Sequence, residues 1–309
     1  MDLSVNLAPW SKEGLKLANP VMTASGTSGY GIETDYLFDM QRLGAFVCKG
    51  TTLEPREGNP QPRITETASG VLNSIGLQNI GIKALIEEKA PVWAKWKIPV
   101  IVNIAGSTVA EYARIASMLD GVPGVSAIEL NISCPNIKEG GAEFGADPIT
   151  AAKVMSTVKA STSLPVIVKL TPNNCDIIEI AKAVAYAGAS ALTLINTLKG
   201  TAIDIYKRKP VLGNITGGLS GPAIKPVALR IVYDVAGIID IPIIGSGGIM
   251  NSTDALEFIM AGASAVQVGV ASFANPRAPL SILEGIQNFL ELEKIERITD
   301  IIGAARVKS

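Results

Sequence analysis

Short apolar runs rich in β-branched residues recur along this chain of 309 residues, with helix-like segments between them. Their continuous hydrophobic character, without alternation, indicates parallel strands that are buried on both faces. Eight such runs occur, at residues 21–25, 45–49, 99–105, 127–133, 165–171, 191–197, 241–245 and 265–270. Amphipathic helices are predicted between them, for example at residues 109–119, 151–160, 177–187, 223–236 and 252–261. Eight βα units over about 250 residues predict a TIM (β/α)8 barrel, with residues 1–309 forming one domain.

Three further features are predicted around the barrel. Residues 3–19 form an N-terminal hairpin, and the tail from Ser281 forms an amphipathic helix. Two unusually long connections, at 51–97 and 198–222, are expected to be binding loops over the C-terminal mouth of the barrel. The alternative fold is a doubly wound open sheet. It requires a phosphate fingerprint after its first strand, and the ASGTSG segment that follows the first run here is not G-x-G-x-x-G.

Composition limits the partners and the chemistry. A net charge of −1 offers no electrostatic footprint for nucleic acid. No run approaches 18 apolar residues and no signal peptide is apparent at the start, so we expect a cytoplasmic enzyme with no membrane association. Three cysteines (Cys48, Cys134 and Cys175) are too few for a disulfide framework or an iron–sulfur cluster, and no metal site is expected. The chain has no histidine, so proton chemistry must use a thiol, a lysine, a carboxylate or a hydroxyl.

Polar residues or glycines end the predicted strands against a strongly apolar background. In a barrel the carboxyl ends of all strands share one mouth, so these residues are expected to form one site. They are Ser25, Lys49, Asn103, Asn131 with Cys134, Lys169, Asn196 with Thr197, Gly247 with Gly248, and Gly269. For Cys134 alone, the alternative is a small buried hydrophobic residue.

Glycine-rich loops follow the last two predicted strands, as GSGGI at 245–249 and GVA at 269–271. These positions commonly form the phosphate site of a barrel, because glycine lets backbone N–H groups approach an anion closely. The alternative is two tight turns without a ligand. No Walker sequence is present, so a mononucleotide-type phosphate is expected.

Two lysines and four asparagines suggest the kind of ligand. Lys49 and Lys169 each end an apolar run, where a charge is costly unless a negative partner is present. That partner is either an internal carboxylate, in a structural salt bridge, or a ligand. The carboxamides can supply both donors and acceptors to a pyrimidine ring. They belong to Asn73, Asn131, Asn136 and Asn196.

Taken together, the motifs resemble the class 1B dihydroorotate dehydrogenases, and in particular their catalytic subunit. The motifs occur in order over nearly the whole chain, as TASGTSGYG, KGTT, NSIGLQN, NISCPN with GGAEFG, VKLTPN, INT, GLSGP and GSGGI. The resemblance implies that FMN contacts Ser25, Lys49, Gly50, Asn103, Asn131, Lys169, Ile195, Gly221, Gly247, Gly248, Gly269 and Val270. It implies that dihydroorotate contacts Lys49, Asn73, Ser74, Ile75, Gly76, Leu77, Asn131, Asn196 and Thr197, with Asn136 a further candidate.

The reaction implied by this resemblance is the oxidation of (S)-dihydroorotate to orotate in pyrimidine synthesis. Cys134 would take the C5 proton while hydride passes from C6 to FMN. Electrons would then reach NAD+ through a partner subunit that carries FAD and a 2Fe–2S cluster, in a heterotetramer built on a homodimer of catalytic chains. Three alternatives stay open: a class 1A homodimer that reduces fumarate, a dihydrouridine synthase, and a phosphate-binding barrel without redox activity.

Overall fold

The computed structural model describes residues 1–11, 14–33, 38–132, 144–173 and 176–307. In this part of the chain, eight short parallel strands form one sheet. They are β1 (Val21–Thr23), β2 (Phe46–Val47), β3 (Val100–Ile104), β4 (Ala127–Asn131), β5 (Val166–Leu170), β6 (Ala191–Leu194), β7 (Ile243–Ser246) and β8 (Ala265–Val268). Strands β2 to β8 pair in chain order, and β8 pairs with β1. A parallel bridge between Met22 and Ala45 links β1 to β2, so the predicted barrel is confirmed.

The predicted runs extend beyond the strands at their carboxyl ends. Lys49 lies past the end of β2, and Asn196 lies past the end of β6. Both residues lie in the loops that follow their strands, and both line the cavity at the mouth of the barrel. The seventh run was placed two residues too early at its start, because Pro242 has no N–H to donate to a ladder.

Helices connect the strands on the outside of the barrel. Segment α1 comprises Ile82–Ala84, a π-helical turn at Leu85–Lys89 and Ala90–Trp93. The others are α2 (Val109–Leu119), α3 (Pro148–Lys159), α4 (Ile177–Tyr186), α5 (Lys225–Val235), α6 (Ser252–Ala261), α7 (Ala271–Ala274) and α8 (Ala278–Leu292). None of the helices in these described ranges is both long and apolar enough to cross a bilayer.

The helix α2 shows why these segments are helical. Thr108 caps its N-terminus by accepting a hydrogen bond from the backbone N–H of Glu111. Tyr112, Ile115 and Leu119 are buried and recur at three- and four-residue intervals. They form one apolar stripe that packs against the barrel, as expected for an amphipathic helix.

Most predicted helix bounds agree with the structure within three residues. Helix α3 begins at Pro148, before the predicted position, because Asp147 caps it and proline is favourable in the first turn. The predicted helix at 223–236 divides into a 3-10 turn at Pro222–Ile224 followed by α5. The prediction missed α1, which lies inside the connection at 51–97.

The predicted N-terminal hairpin is present. Val5–Asn6 pairs antiparallel with Lys16–Leu17, and the chain then enters β1.

The sequence predicted binding loops at the two long connections, and did not indicate that they pair with each other. They join in one antiparallel sheet, which we call the roof sheet. Its strands lie in the order Leu198–Thr201, Thr216–Ser220, Gly70–Asn73 and Ile64–Thr67. Residues from all four of these strands line the same cavity as the ends of the barrel strands. The roof sheet therefore covers the C-terminal mouth.

Candidate active site

A cavity of about 620 Å³ lies between the carboxyl ends of the barrel strands and the roof sheet. Its wall contains nearly all described residues that the sequence placed in one site. These are Ser25, Lys49, Gly50, Asn73, Ser74, Ile75, Gly76, Leu77, Asn131, Lys169, Ile195, Asn196, Thr197, Gly221, Gly247, Gly248, Gly269 and Val270. The side chains come from almost every strand end, so the barrel brings together groups that are distant in sequence. Cys134, Asn136 and Cys175 lie outside the described residues.

Asn103 is the exception, because it lies beneath the cavity wall and not on it. It is fully buried, and its Nδ2 donates to Glu129 Oε1 at 2.7 Å. Its Oδ1 has no hydrogen-bond partner within the described part of the chain. A Cβ placed on Gly50, which does line the cavity, would come within 2.9 Å of this oxygen. An orphaned buried acceptor in this place matches the N–H donor of a ligand.

Asparagines from three strands and loops converge on the cavity. Asn196 Nδ2 donates to Asn131 Oδ1 at 3.3 Å, and Asn196 Oδ1 accepts from the Thr197 N–H at 2.8 Å. Asn73 Nδ2 donates to the Gly218 carbonyl in the roof sheet at 3.3 Å. The Tyr112 hydroxyl holds the backbone of Asn131 by donating to its carbonyl at 2.7 Å. The cavity therefore presents carboxamides that are fixed from both the barrel and the roof.

Lys49 places a positive charge at the cavity. Burial lowers the pKa of its ammonium below the ordinary lysine value, and the nearby Arg63 lowers this pKa further, while Glu33 opposes the shift. In the described ranges no carboxylate lies within 4.0 Å of Lys49 Nζ. The structural salt bridge considered for this lysine is therefore not seen there. A ligand carboxylate would satisfy this charge.

Lys169 is held from inside the barrel. It is 6% exposed, and its Nζ donates to Gln267 Oε1 at 3.2 Å. Gln267 Nε2 in turn donates to Glu129 Oε2 at 2.6 Å. Both Lys169 and Gln267 line the cavity, so a cation linked to a buried carboxylate faces the ligand.

The loop after β7 makes a cradle of backbone groups. Gly247 and Gly248 have φ values of +127° and +75°, which disfavour other residues. A Cβ on Gly248 would come within 2.7 Å of the Lys225 backbone N, so the loop packs directly against the start of α5. Asp254 braces the loop by accepting from Met250 N at 2.8 Å and from Lys225 Nζ at 2.7 Å. Such a loop suits a phosphate group.

The sequence interpretation missed several residues of the site. Asn173 Nδ2 donates to the Thr197 carbonyl at 2.9 Å, and its Oδ1 accepts from the Lys199 N–H at 2.9 Å. It therefore joins the end of β5 to the roof sheet. Gln267 and Glu129 were also missed, although each is a lone polar residue in an apolar run, the same signal that identified Lys169. The described residues contain no group of three or more acidic, cysteine or histidine side chains suited to a metal ion.

Comparison with known proteins identifies the family of this chain. The family model for dihydroorotate dehydrogenase matches residues 10–290. A protein of Pelobacter propionicus is 56% identical over 303 residues, which cover 98% of each chain. One from Desulforamulus reducens is 59% identical over 293 residues, 95% of this chain and 96% of the relative. Both carry the name dihydroorotate dehydrogenase B (NAD(+)), catalytic subunit. The chain belongs to the dihydroorotate dehydrogenase family.

Proposed function

We propose that this chain is the catalytic subunit of an NAD+-linked dihydroorotate dehydrogenase, which oxidises (S)-dihydroorotate to orotate in pyrimidine synthesis. The observation that carries the proposal is that carboxamides, two lysines and a glycine cradle all line one cavity. The names of the relatives support the same activity. Residues 1–309 would act as one FMN-binding domain.

The residues around the cavity fit FMN. The glycine cradle at Gly247 and Gly248, continued by Gly269 and Val270, would hold the phosphate through backbone N–H groups. The orphaned Asn103 Oδ1 would accept from a ring N–H, and Lys169 would lie beside the edge of the ring where negative charge gathers on reduction. The other members of this predicted set are Ser25, Lys49, Gly50, Asn131, Ile195 and Gly221. When bound, FMN supplies the two-electron acceptor that oxidation of the substrate C5–C6 bond requires.

The remaining groups fit dihydroorotate. Lys49 would bind the substrate carboxylate, which removes the cost of a half-buried charge. Asn73, Asn131 and Asn196 would bind the C=O and N–H groups of the ring, with Asn136 a further candidate. The segment 74–77 and Thr197 would close over the substrate from the roof side.

Proton removal is proposed to fall to Cys134, on the motif NISCPN alone. Its thiolate would take the C5 proton as general base. An unperturbed thiol with a pKa near 8.5 is mostly protonated at pH 7, and the chain has no histidine to assist it. Activity should therefore rise toward alkaline pH.

The electrons would leave through another protein. The relatives are called catalytic subunits, which supports a partner in their complexes. We propose a partner that carries FAD and a 2Fe–2S cluster and reduces NAD+, bound to a homodimer of this chain in a heterotetramer.

Anaerobic bleaching of the flavin by dihydroorotate tests the activity directly. The FMN-loaded chain is expected to lose its visible absorption on addition of substrate. Lys49→Met should raise the substrate concentration for half-maximal bleaching by at least tenfold, because a hydrogen bond to a charged group contributes about 1.5–3 kcal/mol. Lys83→Met is the matched control, since Lys83 is an exposed lysine paired with Glu87 at 4.0 Å. A parent protein that binds FMN but is not bleached would refute the proposal.

A further inference from the structure

Glu129 is a buried carboxylate at the centre of the barrel that the proposed reaction does not use. It is 0% exposed and lies on β4, two residues before Asn131. Burying a charge is costly unless hydrogen bonds compensate for lost water. Among the described residues, three donors bond to it: Asn103 Nδ2 at 2.7 Å, Thr193 Oγ1 at 2.8 Å and Gln267 Nε2 at 2.6 Å. These donors come from three other strands, so the carboxylate organises the barrel interior.

A carboxylate can only accept hydrogen bonds, and this property fixes two neighbouring amides. Gln267 must turn its NH2 group toward Glu129, so its Oε1 faces Lys169, which can only donate. The hydrogen bonds to Glu129 and to Lys169 therefore both require the same orientation of the Gln267 amide group. Asn103 must likewise turn its NH2 group toward Glu129, which leaves its Oδ1 against Gly50 as an orphaned acceptor.

We infer that Glu129 is a positioning residue for the cofactor site, which it sets through Asn103 and Gln267. It determines that Asn103 presents an acceptor and not a donor beneath the cavity, and that Gln267 presents an acceptor to Lys169. This inference rests on the proposed function, because the ligand with the matching N–H donor and the charge beside Lys169 is FMN. Glu129 itself touches neither cofactor nor substrate in this account.

Replacing the carboxylate by an amide tests the inference without changing its size. In Glu129→Gln, the new NH2 group meets the NH2 group of either Asn103 or Gln267, so one of these must turn round. A turned Asn103 presents a donor beneath the cavity, and a turned Gln267 presents a donor to Lys169. Either change should raise the dissociation constant of FMN by about tenfold or more, which corresponds to about 1.4 kcal/mol. FMN titration by fluorescence measures this.

Thr193→Val is the matched control. It removes the hydroxyl that donates to Glu129 Oε2, the oxygen that also accepts from Gln267. Loss of this hydroxyl does not require Asn103 or Gln267 to turn its amide group. FMN affinity should stay within twofold of the parent, even if the melting temperature of the protein falls. Equal loss of FMN affinity in Thr193→Val and Glu129→Gln would overturn the inference, as would parental affinity in Glu129→Gln.

A rescue experiment separates orientation from packing. In the double variant Asn103→Asp with Glu129→Gln, the carboxylate at position 103 accepts from the new amide at position 129, presents an acceptor beneath the cavity as Asn103 does in the parent, and keeps the total charge of the parent. FMN affinity should recover in part relative to Glu129→Gln, and an absence of recovery would refute the account.

If Glu129→Gln does not fold, Gln267→Met decides the question. Removing the acceptor that holds Lys169 should lower the reduction potential of bound FMN, and an unchanged potential would overturn the inference. The parent serves as the reference for the proposed function: if the parent binds FMN and is bleached, a failed Glu129 test counts only against the role of Glu129.

Discussion

Cys48 shows how environment decides what a thiol can do. Cys48 is fully buried, and burial raises the pKa of its thiol to about 12. Its Sγ donates to the Lys49 carbonyl at 3.4 Å. A thiol with this pKa stays protonated near neutral pH, so Cys48 fits the role of a small packing residue. The burial of Cys48 is consistent with our proposal, which assigns the proton chemistry to Cys134 on the motif NISCPN.

Exchange of the proposed base gives the first prediction. Cys134→Ser should retain FMN but lose most of its turnover near neutral pH, because a hydroxyl is a far weaker acid than a thiol. Stopped-flow bleaching with dihydroorotate under anaerobic conditions measures the effect. Cys48→Ser is the control, and its bleaching rate should remain close to that of the parent. Equal bleaching rates for Cys134→Ser and the parent would remove Cys134 from the mechanism.

The lowered pKa of Lys49 predicts how substrate binding depends on pH. Only the protonated ammonium attracts the substrate carboxylate, so affinity is full below this pKa and falls as the pH rises through it. Because burial and Arg63 lower the pKa, the loss should begin at a lower pH than for an exposed lysine. Dihydroorotate titrations across the alkaline range should show this loss in the parent and not in Lys49→Met. Parallel pH profiles in the two proteins would contradict the assignment.

In the sequence, candidate site residues stand out as polar side chains at the ends of apolar runs. This signal does not show how deeply a side chain is buried in the fold. Lys49, Lys169 and Asn196 were found because they end such runs, and they do line the cavity. The depth of Asn103 was not predicted, because a position near a strand end does not say whether a side chain reaches the mouth or stays in the barrel interior. The orientation that leaves Asn103 Oδ1 without a partner is set by the hydrogen bond to Glu129, which lies 26 positions further along the chain.

At the scale of elements, the strands were predictable and the roof sheet was not. Local hydrophobicity is enough to locate a strand buried on both faces. The roof sheet instead pairs Gly70–Asn73 with Thr216–Ser220, two strands that belong to different connections. Nothing in either connection alone specifies such a distant partner. The sequence shows that the second connection is rich in glycine. Only the fold shows why: a Cβ on Gly217 or Gly218 would collide with neighbouring residues.

Gly218 gives a prediction at this scale. A Cβ at this position would lie 2.0 Å from Thr197 Oγ1 and 2.7 Å from Thr197 Cβ, so an alanine must displace Thr197. Gly218→Ala should therefore raise the KM for dihydroorotate by at least tenfold, if loss of one well-placed contact costs about 1.4 kcal/mol. FMN affinity should change much less, because the cofactor contacts proposed here lie on the barrel side.

Gly200→Ala is the matched control for this prediction. Gly200 lies on the neighbouring roof strand, opposite Gly217, and its added Cβ would meet the flexible end of Leu72 at 3.1 Å and Leu219 Cβ at an ordinary contact distance of 4.0 Å. Its KM should remain within about threefold of the parent. Similar KM values in the two variants would show that the roof sheet does not position Thr197 for substrate.

For the whole molecule, the barrel explains how one chain assembles a site from residues that are distant in sequence, and our proposal assigns the last electron transfer to a partner. Closure of eight strands brings residues from Ser25 to Val270 to one mouth, and the roof sheet covers that mouth. The sequence contains no dinucleotide fingerprint after its first strand. Its three cysteines cannot supply the four protein ligands that a 2Fe–2S cluster requires.

The isolated chain is therefore expected to reduce its FMN with dihydroorotate but not to reduce NAD+ at a comparable rate. Our proposal gives the electrons that reach the flavin to a docked partner, which would accept them across a protein interface. Steady-state turnover of the FMN-loaded chain is measured with NAD+ and, in parallel, with fumarate, and single-turnover bleaching confirms that the first half-reaction works. Rapid NAD+ reduction by the chain alone would overturn the two-subunit scheme. Rapid fumarate reduction would instead indicate a class 1A enzyme, in which the homodimer completes the reaction without a partner.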